Sequence, residues 1–256
     1  KYVKAETIWN ELFIKRIPIS ESCRGIITIL SELNIDFHNI NFKKLLESYN
    51  KNLISEKSIF TSLNLEKVVM TNNPVDHREW SLFYNKDWDR EKYIASIRMD
   101  DIFLNKNNFF KNIFIEKNTK KEYNFQSQFK LFLEDITFLT KPAYFAISTD
   151  GNGLKNLLKN KFFSKVLINH LVENQIPLAI MLGVKRGVNK SFKLGGDGIG
   201  DNGLEELEFL ATRYNNLSIM VSHLSNNYHH QITVLSRKFP NIKLFGFWWF
   251  NNQPSL

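Results

Sequence analysis

Six short apolar runs recur along this chain, at residues 67–71, 93–98, 143–148, 177–182, 217–222 and 242–250. Each leads to a polar tip and then to helical or loop sequence. Near-continuous apolar strands, rather than strictly alternating ones, suit a parallel sheet covered on both faces. Leu154, Leu157, Leu158, Phe162 and Leu171 fall near helical spacing between the third and fourth runs, and residues 203–214 and 230–239 read as helices after the fourth and fifth. Right-handed crossovers wind such β/α alternation into a barrel or an open doubly wound sheet. Residues 1–62 differ: 5–15 place Ile8, Trp9, Leu12 and Phe13 on one helical face, 24–33 and 42–48 add helical patterns, and no strand signal is present. The expected organisation is a helical insertion or subdomain over 1–62 and a partial (β/α) barrel over 63–256.

Composition narrows the function. The 256 residues are 43% hydrophobic and carry a net charge of +8. The lysines are spread along the chain rather than gathered in a block, which argues for a solvated surface and against a nucleic-acid partner. No run of about 18 apolar residues is present, so no membrane span is expected. The single cysteine, Cys23, excludes an internal disulfide and fits a reducing, cytoplasmic setting. Lys1 is no initiator methionine and no signal-peptide pattern follows it, so a piece of a longer chain is expected.

The chemistry-bearing residues gather at the ends of the runs. After the first comes Thr71-Asn-Asn-Pro-Val-Asp76, where Pro74 forces a turn. The second ends in Ser96-Ile-Arg98-Met-Asp100-Asp101. A guanidinium leaving an apolar strand needs an anion, either a ligand or a structural partner such as Asp100 or Asp101. The fourth leads through Gly183-Val-Lys-Arg186 to a segment with four glycines in residues 195–200. That segment lacks the Lys-Ser/Thr of a P-loop and the spacing of a dinucleotide fingerprint; a shaped loop over a barrel mouth is the better account. The last run closes with Trp248, Trp249, Phe250, Asn251 and Asn252, rings and amides at a strand's C-terminal tip, where α/β barrels build their active sites. His229 and His230 are adjacent and on a helix point about 100° apart, so they cannot share a metal; His223, near the fifth tip, could reach a barrel mouth.

Taken in order, Ala5-Glu-Thr-Ile-Trp-Asn-Glu11, Thr71 to Asp76, Ser96 to Asp100, Gly183 to Asp197 and Trp248 to Gln253 resemble the collinear motifs of the uronate isomerases of the amidohydrolase superfamily. The resemblance implies a TIM-type (β/α)8 barrel, incomplete here, with about six parallel strands and an N-terminal helical insertion. It implies the interconversion of D-glucuronate or D-galacturonate with the ketose, a proton moving between C2 and C1 through an enediol. The family works beside one divalent metal, commonly zinc, held by a first-strand His-x-His and an Asp after the eighth strand. Those positions have no counterpart here, so no metal ligands or catalytic residues are assigned within this chain and no bound metal is expected in it. His38 only faintly echoes the family's histidine strand and is a decoy.

Within the chain the resemblance assigns substrate binding to Arg98, Asp100, Arg186, Trp248, Trp249 and Asn251. The arginine would hold the sugar acid, the tryptophans would wall the ring and the amide would orient a hydroxyl. The expected partner is a small sugar acid; a homo-oligomer is allowed. Met181 stands where the family has a histidine, and Asn252 where it has an aspartate. These departures leave two alternatives open: a divergent metal-dependent hydrolase of the superfamily, or a non-catalytic sugar-acid-binding pseudoenzyme. Hydrolases of that kind carry metal-binding histidines near the positions of Met181 and of Ser222 and His223, which argues against the first.

Overall fold

Ahead of the first apolar run the sequence has helical periodicity, and helices form there. A computed structural model of the chain describes residues 4–38, 40–51, 55–85, 88–103 and 125–246, and divides into two compact units, Lys1–Glu66 and Lys67–Leu256. The first unit holds α1 (Ala5–Trp9), continued as a π-helical turn over Asn10–Ile14, then α2 (Glu21–Glu32), α3 (Phe42–Lys51) and α4 (Glu56–Ser62). Hydroxyl caps start two of these: Ser20 accepts from the Cys23 N–H and Ser55 from the Ser58 N–H, each satisfying a backbone donor the helix leaves open. Trp9 stacks on Phe13 with ring centroids 4.4 Å apart and joins Leu30, Ile35 and Leu45 in a small core. The indole is buried because its N–H reaches the Ile40 carbonyl at 3.2 Å.

In the second unit the six apolar runs become the strands of one sheet. Its members are β1 (Val68–Asn72), β2 (Tyr93–Arg98), β3 (Phe145–Thr149), β4 (Leu178–Leu182), β7 (Ile219–His223) and β8 (Ile242–Leu244). The short β5 (Val184–Lys185) and β6 (Gly198–Ile199) pair separately and antiparallel. Every pair in the main sheet is parallel, and the strand order follows chain order, β1-β2-β3-β4-β7-β8. A doubly wound sheet reverses its winding at a switch point; this one winds in a single direction, as a barrel does. It is open, with β1 and β8 as its edges among the described residues.

Side-chain parity separates the two faces. Ile97, Phe145, Ile147, Leu178, Ile180, Leu182, Ile219, Val221 and Ile242 all point to one side and are buried in one cluster with helical residues such as Phe129, Leu133, Leu154, Phe163 and Leu210. The helices supplying that layer are α6 (Asp100–Phe103), α7 (Phe125–Thr140), α8 (Gly151–Lys159), α9 (Ile168–Glu173), α10 (Leu204–Arg213) and α11 (His229–Lys238), while α5 (His77–Tyr84) packs against α7. The long helical pattern around residues 154–171 is in fact interrupted. α8 stops at Lys159, Asn160 takes an extended conformation, and a π-helical stretch at Phe162–Leu167 leads into α9.

The opposite face carries Ser96, Arg98, Ala146, Ser148, Ala179, Met181, Met220 and Ser222, by register. Tyr144, just before β3, and Phe245, just after β8, bring their rings to 6.0 Å across it. Those strands are three interstrand steps of roughly 4.8 Å apart, so the contact requires the sheet to curl toward this face. It is the concave, inner face of a barrel sector. The expectation of six parallel strands in an incomplete barrel holds.

Candidate functional site

Parallel strands that end together present their following loops together, at one rim. At the rim of β2, Arg98 closes the strand and Asp100 opens α6, two residues on. The Arg98 Nε donates to Asp100 Oδ2 at 3.2 Å. The loop after β4 brings in a second guanidinium: Arg186 Nη2 donates to Asp100 Oδ1 at 3.1 Å, across 86 positions of sequence. Its Nη1 donates to Asp197 Oδ2 at 2.8 Å. The result is a chain of alternating charge, Arg98, Asp100, Arg186, Asp197. Asp100 is also held by the backbone N–H of Ser148 on β3, at 3.3 Å from Oδ1.

Exposure grades along this chain. The Asp100 side chain is only 6% exposed, whereas both arginine side chains are 42% exposed. A nearly buried carboxylate thus anchors two guanidiniums that still face water. The contact from Arg98 engages Nε, so its terminal nitrogens are not used on Asp100. Guanidinium N–H groups arranged in a planar fork suit a carboxylate ligand. Three of the residues proposed from sequence, Arg98, Asp100 and Arg186, are therefore brought together. Trp248, Trp249 and Asn251 lie outside the described residues, as does Asn252.

Ser148 and Met181 were not singled out together in the sequence, yet register sets Ser148, Met181 and Ser222 side by side on β3, β4 and β7. The Ser148 hydroxyl donates to the Met181 sulfur at 3.9 Å. The signal for this row was the parity within the runs: Phe145-Ala-Ile-Ser148, Leu178-Ala-Ile-Met181 and Ile219-Met-Val-Ser222 alternate bulky and smaller or polar residues.

The loop after β4 is a hairpin. β5 and β6 pair Val184 with Ile199 and Lys185 with Gly198. Asp197 closes it, accepting the Gly187 N–H at 2.8 Å on Oδ1 while Oδ2 holds Arg186. At its base Gly183 has φ +86°, and a Cβ there would stand 2.6 Å from the His223 ring. His223 is fully buried, with its Nδ1 accepting the Ser225 N–H at 2.9 Å. Burial pushes its pKa below the ordinary imidazole value, against the opposing effect of backbone hydrogen bonds to Asn202 and Ser225. His223 accordingly packs the hairpin base onto β7, on the helix side of the sheet.

The loop after β1 is used by the fold. Asn73 donates from Nδ2 to Asp101 at 2.6 Å, accepts the Val75 N–H and gives its own backbone N–H to Glu79. Asp76 caps α5 through the Arg78 N–H. His38 is exposed in a turn of the first unit. Among the described residues no three His, Cys, Asp or Glu side chains come together in a way that holds a metal ion, so no metal chemistry is assigned to them. No helix among them is long and apolar enough to cross a membrane.

Fold and rim together define a sector of a parallel β/α barrel with a polar, arginine-lined mouth at the C-terminal ends of its strands. No protein-family model and no curated protein sequence matches the chain. Solved structures do. The chain is similar to a uronate isomerase from Bacillus halodurans C-125, at 29% identity and a TM-score of 0.80 over 97% of this chain and 60% of that one. A uronate isomerase from Thermotoga maritima (17% identity, TM-score 0.64, 89% and 60% covered) and a glucuronate isomerase from Caulobacter crescentus (14%, 0.62, 82% and 53%) share the fold. The resemblance to the uronate isomerases read from the motifs thus holds in three dimensions, and the chain spans 60% or less of the length of these relatives.

Proposed function

We propose that the chain forms the acid-binding sector of a uronate isomerase-like enzyme, which interconverts the aldose and ketose forms of D-glucuronate or D-galacturonate by moving a proton between C2 and C1. The observation that carries this is the pair of half-exposed guanidiniums, Arg98 and Arg186, converging on the nearly buried Asp100 at the strand-end rim. In this reading their outward N–H groups take the sugar carboxylate or a neighbouring hydroxyl, and Asp100 keeps both guanidiniums in place. The structural likeness to uronate isomerases supports the reaction class. The resemblance also implies a divalent metal, whose His-x-His and Asp motif positions have no counterparts in residues 1–256.

The test is a turnover assay of the full-length protein with D-glucuronate and D-galacturonate, following ketose formation. Conversion of either sugar supports the proposal, and conversion of neither sinks it. Met181, an apolar thioether on the inner face between Ser148 and Ser222, favours a second reading: a sugar-acid-binding protein that does not turn its ligand over. Saturable binding of a uronate without conversion would select that one.

A further inference from the structure

Arg186 is carried on a hairpin, β5 to β6, rather than on the sheet, so something must fix where its guanidinium points. We infer that Asp197 is the positioning residue for the anion-binding arginines. The inference rests on the acid-binding role proposed above for Arg98 and Arg186 and goes one residue further. Both carboxylate oxygens of Asp197 are used, and on different things. Oδ1 takes the Gly187 N–H at 2.8 Å, tying the turn after Arg186 back to the returning strand. Oδ2 takes Arg186 Nη1 at 2.8 Å. Arg186 Nη2 is then aimed at Asp100 Oδ1, 3.1 Å away, and Asp100 in turn holds Arg98 Nε.

One side chain at the root of the hairpin thereby sets the orientation of the Arg186 fork, and through Asp100 steadies Arg98. Backbone bonds close the rest of the loop without Asp197: Gly200 N–H donates to Gly183 O, and Asn189 N–H to Gly196 O, each at 2.9 Å. The hairpin therefore keeps its shape when the charge at 197 is removed, while the arginine loses its guide. Asp197 does not need to touch substrate for this; it acts through Arg186.

The test is Asp197→Asn, which retains an oxygen for the Gly187 N–H and removes the charge facing Arg186. In the full-length protein KM for the uronate should rise about tenfold with kcat nearly unchanged, the signature of binding lost equally in ground and transition states. In an Arg186→Met background the same substitution should change KM by less than about twofold, because residues acting through one contact are non-additive. An unchanged KM for Asp197→Asn, or an equal rise in both backgrounds, overturns the inference. A second measurement does not depend on turnover: phenylglyoxal modification of Arg186, followed by peptide mass spectrometry. It should be at least about threefold faster in Asp197→Asn than in the parent, since one of two charge-assisted hydrogen bonds restraining the guanidinium is weakened. Equal rates would overturn the positioning role even if the protein isomerises uronates. Faster modification in a protein that converts no uronate would leave the positioning intact and remove only the substrate assignment.

Discussion

At Arg98 and Asp100 two neighbouring substitutions should behave oppositely. Arg98→Met removes one of two guanidiniums from Asp100, and Arg186 remains to pair with the carboxylate. A half-exposed ion pair contributes at most about 1 kcal/mol, so Tm should fall by no more than about 2–4 °C. Under the proposed function uronate turnover should fall further, because a charged hydrogen bond to substrate would carry about 1.5–3 kcal/mol, or ten- to a hundredfold in kcat/KM. Asp100→Ala instead leaves two guanidiniums facing each other and the Ser148 N–H without its acceptor. Allowing for water around the arginines, it should cost about 2–3 kcal/mol, visible in urea unfolding. If Arg98→Met unfolds the protein, Arg98 is a structural partner of Asp100 and the substrate assignment fails. That an arginine at a strand tip needs an anion was legible from Tyr93-Ile-Ala-Ser-Ile-Arg98. That its anion would be shared with Arg186 was not, since nothing local in sequence pairs positions 86 apart. The row of Ser148, Met181 and Ser222 was hidden for another reason: it needs the register of three strands, and a single run shows only its own parity.

Among the elements, the hairpin after β4 and the turn after β3 are joined at glycines with little room. Gly183→Ala would push a Cβ to 2.6 Å from the buried His223 ring at φ +86°, and Gly151→Ala would put one 2.1 Å from Asp201 Oδ1 and 2.7 Å from Gly203 Cα. Each should destabilise by about 2–4 kcal/mol, from overpacking and, at Gly183, backbone strain. Gly187→Ala is the control. It has φ +62° but open space around it, and should lose only about 1–2 kcal/mol. Equal losses at Gly183 and Gly187 in denaturant titrations would mean that contact with His223 contributes nothing. The glycine-rich sequence was readable as a shaped loop, and the absence of P-loop spacing excluded a phosphate cradle. Its antiparallel pairing was missed because β5 and β6 are two residues each, too short for periodicity to register. α7 had no counterpart in the sequence reading: it is a helix of 16 residues that buries Phe129, Leu133 and Ile136 in the core.

At the level of the whole molecule, acid should weaken the fold through two histidines. Burial lowers the pKa of both His170 and His223 below the ordinary value; His170 lies 2.8 Å from the Thr137 hydroxyl through Nε2. With folded pKa values below the unfolded one, the unfolded chain binds more protons as pH falls. Their stabilising contribution is therefore complete above about pH 6.5 and is lost below it, at up to roughly 1.4 kcal/mol per pH unit for each histidine. Urea unfolding at pH 7.5, 6.5 and 5.5 should show the decline, and His170→Gln should flatten it; a constant free energy across that range would refute the idea. A parallel β/α sheet was open to reading from the six apolar runs, but the choice between a barrel and a doubly wound sheet was not. Strand order decides that, and order is a property of the crossovers. The two faces of the sheet also differ in what they allow. On the helix side, bulky side chains interlock, and a change of one residue is felt by several neighbours. On the concave side, alanines, serines and methionines line the strands, smaller or less branched than the residues behind them. A substitution on the concave face therefore changes what the barrel can hold, while one on the helix face changes whether the barrel forms. The parity of the strands thus assigns alternate positions of one short run to two separate tasks, frame and contents.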